Sequence, residues 1–185
     1  MVDASRYLTD LDFDILAFCM IESLSTSKKE RVQPSGTHIA KWLTAMSMFC
    51  GNLWRKHNID LLGLLNYLVS QLLNENIYDL AVLQELVSQM TGVKILEEAA
   101  EGQLEAYAGG ENLKREALMF EQLRVIRKSS ARLTRALLDS DLAARIRILL
   151  AVLRRDCLFG EENVRDLKIL AWRFDMVCFN SYCSL

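Results

Sequence analysis

Proline occurs once and glycine eight times in this 185-residue sequence. That is too little turn chemistry for an all-β sandwich or barrel. Only two histidines, His38 and His57, are available for acid–base work. Long apolar runs are missing as well. The longest uncharged stretches, Trp42 to Trp54 and Leu61 to Asn74, are thirteen and fourteen residues, against the roughly twenty that a membrane helix needs. Both also carry polar groups, among them Asn52 and Asn66. Asp3, Asp10, Asp12 and Asp14 stand where an export signal would have a basic start and an apolar stretch, so no export and no membrane partner are expected. Neither sign of charge dominates: 22 Lys+Arg face 24 Asp+Glu, a net of −2, which excludes a one-signed disordered tail.

The sequence does have a large apolar share, 51%, enough for one well-filled core. The five cysteines (Cys19, Cys50, Cys157, Cys178, Cys183) are odd in number and lie in apolar surroundings, so they read as reduced thiols of an intracellular protein.

The periodicity is helical throughout. Leu11, Ile15, Phe18, Cys19 and Ile21 keep spacings of three and four and are expected on the inner face of a first helix. Residues 25–36 lack any apolar period, hold the only proline and are expected as a loop. Thr37 is then placed to cap a second helix running through Trp42, Met46, Phe49 and Leu53 to His57. A third helix starts at Asn58 or Asp60. It carries one stripe of Leu61, Leu65, Leu68 and Leu72 and a second of Leu62, Val69 and Leu73, a face wide enough to need neighbours on two sides. The fourth turns Leu80, Leu83, Val87 and Met90 inward and Gln84, Glu85, Ser88 and Gln89 outward. It stops at Thr91-Gly92, with the glycine free to take the left-handed terminating conformation.

A helix break is expected near 92–111, interrupted by a short helix that stops at Gly109 and Gly110. Further helices are expected near 112–138, 141–156 and 161–183. Short-looped consecutive helices predict an all-α fold of stacked antiparallel helical hairpins, as in helical-repeat arrays, forming one module over 1–185. Such a module is expected to leave apolar surface at one or both of its ends.

Charge is segregated along the chain. Residues 75–111 carry eight acids and one base, a net of −7, whereas 112–155 carry eleven bases and four acids, a net of +7. If the helix continues through Ser129-Ser130, Arg124, Arg127, Lys128, Arg132 and Arg135 share one broad arc, opposite Leu123, Ile126, Leu133 and Leu137. This strip is either a solvated helix face or a contact for an acidic partner or an RNA backbone. Only Phe120 at its edge offers a ring for stacking on bases.

No catalytic constellation emerges. Cys50 and His57 are seven residues apart on one helix face, but a thiolate–imidazole pair competes there with a simpler role for His57 at the carbonyl end of the helix. Cys178 and Cys183 lack the second ligand pair that zinc requires. Gly109-Gly110 is followed by Glu111 instead of phosphate-loop residues. Asp10, Asp12 and Asp14 suit a helix start better than a cation loop. The expectation is a non-enzyme with no cofactor.

Several stretches carry a family resemblance. The run from Ile59 to Leu72 (Ile-Asp-Leu-Leu-Gly-Leu-Leu-Asn-Tyr-Leu-Val-Ser-Gln-Leu) is followed by that from Asp79 to Gly92 (Asp-Leu-Ala-Val-Leu-Gln-Glu-Leu-Val-Ser-Gln-Met-Thr-Gly). Gln103-Leu104-Glu105-Ala106-Tyr107-Ala108-Gly109-Gly110 and Lys128-Ser129-Ser130-Ala131-Arg132-Leu133 come next. With Phe13 to Cys19 and Lys29 to Val32 upstream, they resemble, in order, the central part of the THO complex subunit 2 family, the scaffold of the THO/TREX assembly. The likeness runs from about Asp10 to Asp175, and the Gln-Leu-Glu-Ala-x-Ala-Gly-Gly element is its most specific piece.

The resemblance implies a non-catalytic, all-helical scaffold in the nucleus, built as a HEAT-like helical repeat array and active in messenger-RNA processing and export. It implies other THO complex subunits and a DEAD-box RNA helicase as partners, with RNA reached mainly through them. Direct RNA binding by the strip Arg124, Arg127, Lys128, Arg132 and Arg135 is the alternative.

Overall fold

In a computed structural model of the chain, residues 4–26, 30–33, 39–92, 101 and 123–159 are described below. The first helix, α1 (Asp10–Thr26), starts at a reciprocal cap. The Thr9 amide and hydroxyl both donate to the Asp12 carboxylate, at 2.9 and 2.8 Å, and the Asp12 amide returns to the Thr9 hydroxyl. These bonds hold the Asp12 carboxyl below its usual range, the backbone amide of Thr9 contributing most. The Asp12 carboxylate therefore serves the helix start.

The side of α1 that faces the protein differs from the expected one. Met20 and Leu24 are buried, with Phe13, Leu16, Ala17 and Ile21 packed beside them. Leu11, Ile15 and Phe18 are 67%, 52% and 66% exposed, and Cys19 is exposed too. The helix carries two apolar stripes, and the one that faces α3 (Leu62–Leu73) is the one that is buried.

The expected loop at 25–36 begins later, because α1 continues through Thr26. Within it Val32 pairs antiparallel with Ile39, and the Ala40 amide donates to the Arg31 carbonyl at 2.9 Å. That pairing delays α2 (Lys41–Lys56), whose N-cap is Ala40 instead of Thr37. Thr37 itself lies outside the described residues.

Helix α3 starts at Leu62, where Asp60 accepts from the Leu62 amide at 3.0 Å. Leu61, Leu65, Leu68 and Leu72 are buried as expected, but of the second stripe only Val69 is. Leu64, Tyr67 and Val69 are buried, whereas Leu62 and Leu73 are 39% and 59% exposed. The helix packs between α1 and a later helix, α6 (Leu142–Phe159), so neighbours do cover it on two sides. A short 3-10 turn, Ile77–Asp79, leads into α4 (Leu80–Thr91).

Helix α4 buries Leu80, Leu83, Val87 and Met90, and also Ala81, Val82 and Leu86. Its polar residues Gln84, Glu85, Ser88 and Gln89 are half-buried instead of exposed, because α2 packs closely along it. A Cβ on Gly51 of α2 would lie 2.9 Å from the Glu85 carbonyl oxygen and 2.9 Å from Gln89 Cγ. Only a residue without a side chain permits that approach. Gly92 ends α4 in the left-handed conformation, φ 73°, its amide donating to the Ser88 carbonyl.

Helix α5 (Leu123–Asp139) continues unbroken through Ser129-Ser130 and is joined to α6 by a turn at Ser140-Asp141. The expected helix at 161–183, the glycine stop at 109–110 and most of the 93–122 segment lie outside the described residues. Helices α2, α4 and α5 pack on one another, and α3 on α1 and α6. Among the described residues there is no strand beyond the isolated Val32–Ile39 pair, and the fold is all-α.

One buried polar cluster ties the early loop to this core. Asp79 is 1% exposed, and Arg31 meets it from 48 residues away, with Nε to Oδ1 at 2.9 Å and a second nitrogen to Oδ2 at 3.3 Å. The Tyr67 hydroxyl donates to Oδ2 at 2.9 Å, and the same Arg31 nitrogen also reaches the Leu24 carbonyl at 3.0 Å. A buried carboxylate is tolerated because it is paired and hydrogen-bonded on both oxygens. Burial first, then the Asp79 charge, pushes the Tyr67 phenol well above its ordinary value.

Candidate interaction surface

The basic strip sits on α5, whose apolar side is anchored in the core by Ile126 and Leu133, with Leu137 half-buried. Arg127, Lys128 and Arg135 are exposed, and the Arg124 side chain lies outside the described residues. Arg132 behaves differently. Its two terminal nitrogens donate to the carbonyls of His57 (2.6 Å), Trp54 (2.7 Å) and Arg55 (3.3 Å) and to Asn58 Oδ1 (3.2 Å).

Three of these acceptors are backbone oxygens at the carboxyl end of α2, where carbonyls lack partners inside the helix and the dipole favours a cation. A planar guanidinium can satisfy several of them at once where an ammonium cannot. Burial lowers the Arg132 pKa, yet the group stays cationic at neutral pH.

Ser129, one turn earlier, is fully buried and donates to the Met90 carbonyl at 2.7 Å. Helix α5 thus closes the ends of both α2 and α4 through Arg132 and Ser129. Both lie in the Lys128–Leu133 stretch that resembles the THO family. Sequence reasoning placed Arg132 in a ligand strip and gave Ser129 no role. No local pattern could do otherwise, because their acceptors lie 39 to 78 residues away.

Between α5 and the end of α2 lies an open groove of about 840 Å³. Arg55, Lys56, Lys128, Arg132 and Arg135 line it, with no carboxylate among its described lining residues. Arg55 also donates to Gln89 Oε1 at 3.3 Å.

The thiol–imidazole pair does not assemble. Cys50 is fully buried in α2, and that burial raises its thiol pKa to about 12, the opposite of an activated nucleophile. The His57 ring instead stacks on Phe13, centroids 4.7 Å apart at 33°, and lies 3.4 Å from the Ser5 hydroxyl. Its backbone closes α2 as the C-cap, so the position at the helix end is the expected one. Among the described residues no group of three His, Cys, Asp or Glu could hold a metal. No described helix is long and apolar enough to cross a membrane. Cys178 and Cys183 lie outside the described residues.

These elements define an all-helical protein whose functional groups line surfaces and helix ends. Comparison with known proteins carries this further. A family described as a transcription- and export-related complex subunit matches residues 1–47. THO complex subunit 2 of Homo sapiens is 44% identical over 175 residues, 95% of this chain and 11% of the relative's length. The Arabidopsis thaliana protein of that name is 36% identical over 182 residues (95% and 10%), and the Saccharomyces cerevisiae one 29% over 178 residues (95% and 11%). The chain belongs to the THO complex subunit 2 family, of whose curated members it spans about a tenth of the length.

Proposed function

We propose that residues 1–185 form a single helical-array module of a non-catalytic scaffold in the THO/TREX assembly, acting in the nucleus in messenger-RNA processing and export. On this reading its partners are other THO complex subunits and a DEAD-box RNA helicase of the export pathway, with RNA reached mainly through them. The role is preorganisation: helices held rigidly by shared cores and capped ends keep docking surfaces at fixed separation, which lowers the ordering cost of assembly.

The observation that carries the reading is the outer stripe of α1. Leu11, Ile15 and Phe18, with Tyr7 before them, form an exposed apolar row on a helix whose other face is already buried. An apolar row of this kind suits further helical surface, and the relatives have some nine-tenths of their length outside the matched part. The buried Cys50 thiol and the engaged His57 ring support a non-catalytic role.

The test is capture from nuclear extract by the tagged chain, with the retained proteins identified by mass spectrometry. THO subunits and the export helicase are expected with the native chain and lost with Ile15→Glu/Phe18→Glu. Equal recovery by the variant, or no enrichment of these proteins, overturns the proposal.

A second reading is direct RNA contact through Arg124, Arg127, Lys128, Arg132 and Arg135. The unbroken α5 and the exposure of Arg127, Lys128 and Arg135 favour it, and the engagement of Arg132 at the end of α2 counts against it. RNA affinity that falls steeply with salt and disappears on charge reversal would be its signature.

A further inference from the structure

We infer that the groove between α5 and the carboxyl end of α2 is a docking site for a short peptide of a partner protein that carries an acidic residue at every third position with apolar residues between. The inference does not depend on which assembly the chain joins.

Charge comes first. The groove gathers Lys128, Arg132 and Arg135 beside Arg55 and Lys56, with no carboxylate among its described lining residues. Arg132 is fixed in place by the α2 carbonyls and also cancels the negative helix end that would otherwise repel an incoming carboxylate. Lys128 and Arg135 are exposed, with side chains able to swing toward a ligand.

Spacing comes next. Seven residues of helix separate Lys128 from Arg135, a rise of about 10.5 Å. Three residues of peptide in a polyproline II conformation cover about 9 Å and return every third side chain to the same face. Carboxylates at every third position therefore meet both cations in turn.

The remaining lining distinguishes peptide from nucleic acid. Val125 and Ala131 share the α5 face with Lys128, Arg132 and Arg135, giving apolar contact between the cations. An acidic-apolar peptide uses that contact, and a phosphate backbone does not. Among its described lining residues there is no aromatic ring for bases to stack on. Nucleic-acid affinity would then rest on summed phosphate contacts alone. The chain's net charge of −2 works against a long polyanion, which gains by summing many contacts. A short peptide needs only two or three local pairs.

The test is fluorescence anisotropy on the full chain with three labelled probes. One is a short peptide with glutamate at every third position and leucine and alanine between. The second is its counterpart with serine for leucine, and the third is oligouridylate of similar charge. The first probe is expected to bind most tightly and to lose about tenfold in affinity on Lys128→Glu/Arg135→Glu. The milder Lys128→Ala/Arg135→Ala is expected to weaken it less, and unchanged circular dichroism and urea midpoints are expected for both variants. Three results overturn the inference: equal binding of the serine peptide, tighter binding of oligouridylate, or peptide binding that is absent or indifferent to charge reversal.

Discussion

Gly51 offers the sharpest test of the helix packing, because the same substitution at a second glycine should act in the opposite direction. In Gly51→Ala the new methyl would sit 2.9 Å from the Glu85 carbonyl oxygen and 3.2 Å from Gln89 Cβ. The oxygen belongs to the α4 backbone and cannot rotate away, so α2 and α4 must separate. Overpacking of this kind costs about 1–3 kcal/mol, offset by up to ~1 kcal/mol from the better helix propensity of alanine. A net loss of about 1–2 kcal/mol is expected, which for a chain of this size lowers Tm by roughly 2–8 °C.

At Gly63, near the start of α3, an added Cβ would meet only Ile21 Cδ1 at 3.5 Å, an ordinary contact. Gly63→Ala is therefore expected to be neutral or to stabilise by up to ~1 kcal/mol. Urea midpoints of the two variants decide the matter. If Gly51→Ala is as stable as the native chain, or if both variants move the same way, the close α2–α4 contact is wrong.

Other expectations follow from the polar anchors. Arg132→Ala should destabilise by about 2–3 kcal/mol because it strands carbonyls at the end of α2, and Arg132→Lys should recover only part of that, both read by chemical denaturation. Asp79→Ala leaves the Arg31 guanidinium partly buried without its carboxylate, and a loss of about 3–5 kcal/mol is expected by the same method.

Cys50 sets an alkaline limit on stability. Its thiol pKa is raised from 9.0 to about 12 in the folded chain. Above the unfolded value the unfolded state loses this proton first, so its contribution falls by about 1.4 kcal/mol per pH unit until the folded value is reached. Urea midpoints at pH 8 and pH 10 should therefore differ more for the native chain than for Cys50→Ala.

The leucine rods of α3 and α4 were legible because their buried leucines recur at helical spacing, and Gly92 was legible because its terminating role is local. The inner face of α1 was not. Phe13, Ala17, Met20 and Leu24 compete with Leu11, Ile15 and Phe18 at the same helical spacing, and periodicity cannot rank two apolar stripes on one helix. The start of α2 was missed because the Val32–Ile39 pairing, a tertiary contact, outweighs capping by a nearby threonine. The basic strip was visible as a charge pattern, whereas the inward engagement of Arg132 depends on acceptors brought together only by folding. The Arg31–Asp79 pair and the Ser129 anchor were hidden for the same reason.

Titration of the purified chain with the purified DEAD-box export helicase, followed by calorimetry and ATP turnover, bears most directly on the scaffold proposal. Saturable binding that quickens the helicase's ATP turnover, with no turnover by the chain alone, is the predicted result. A chain that leaves the helicase unbound and its turnover unchanged, or that hydrolyses ATP itself, would contradict the account.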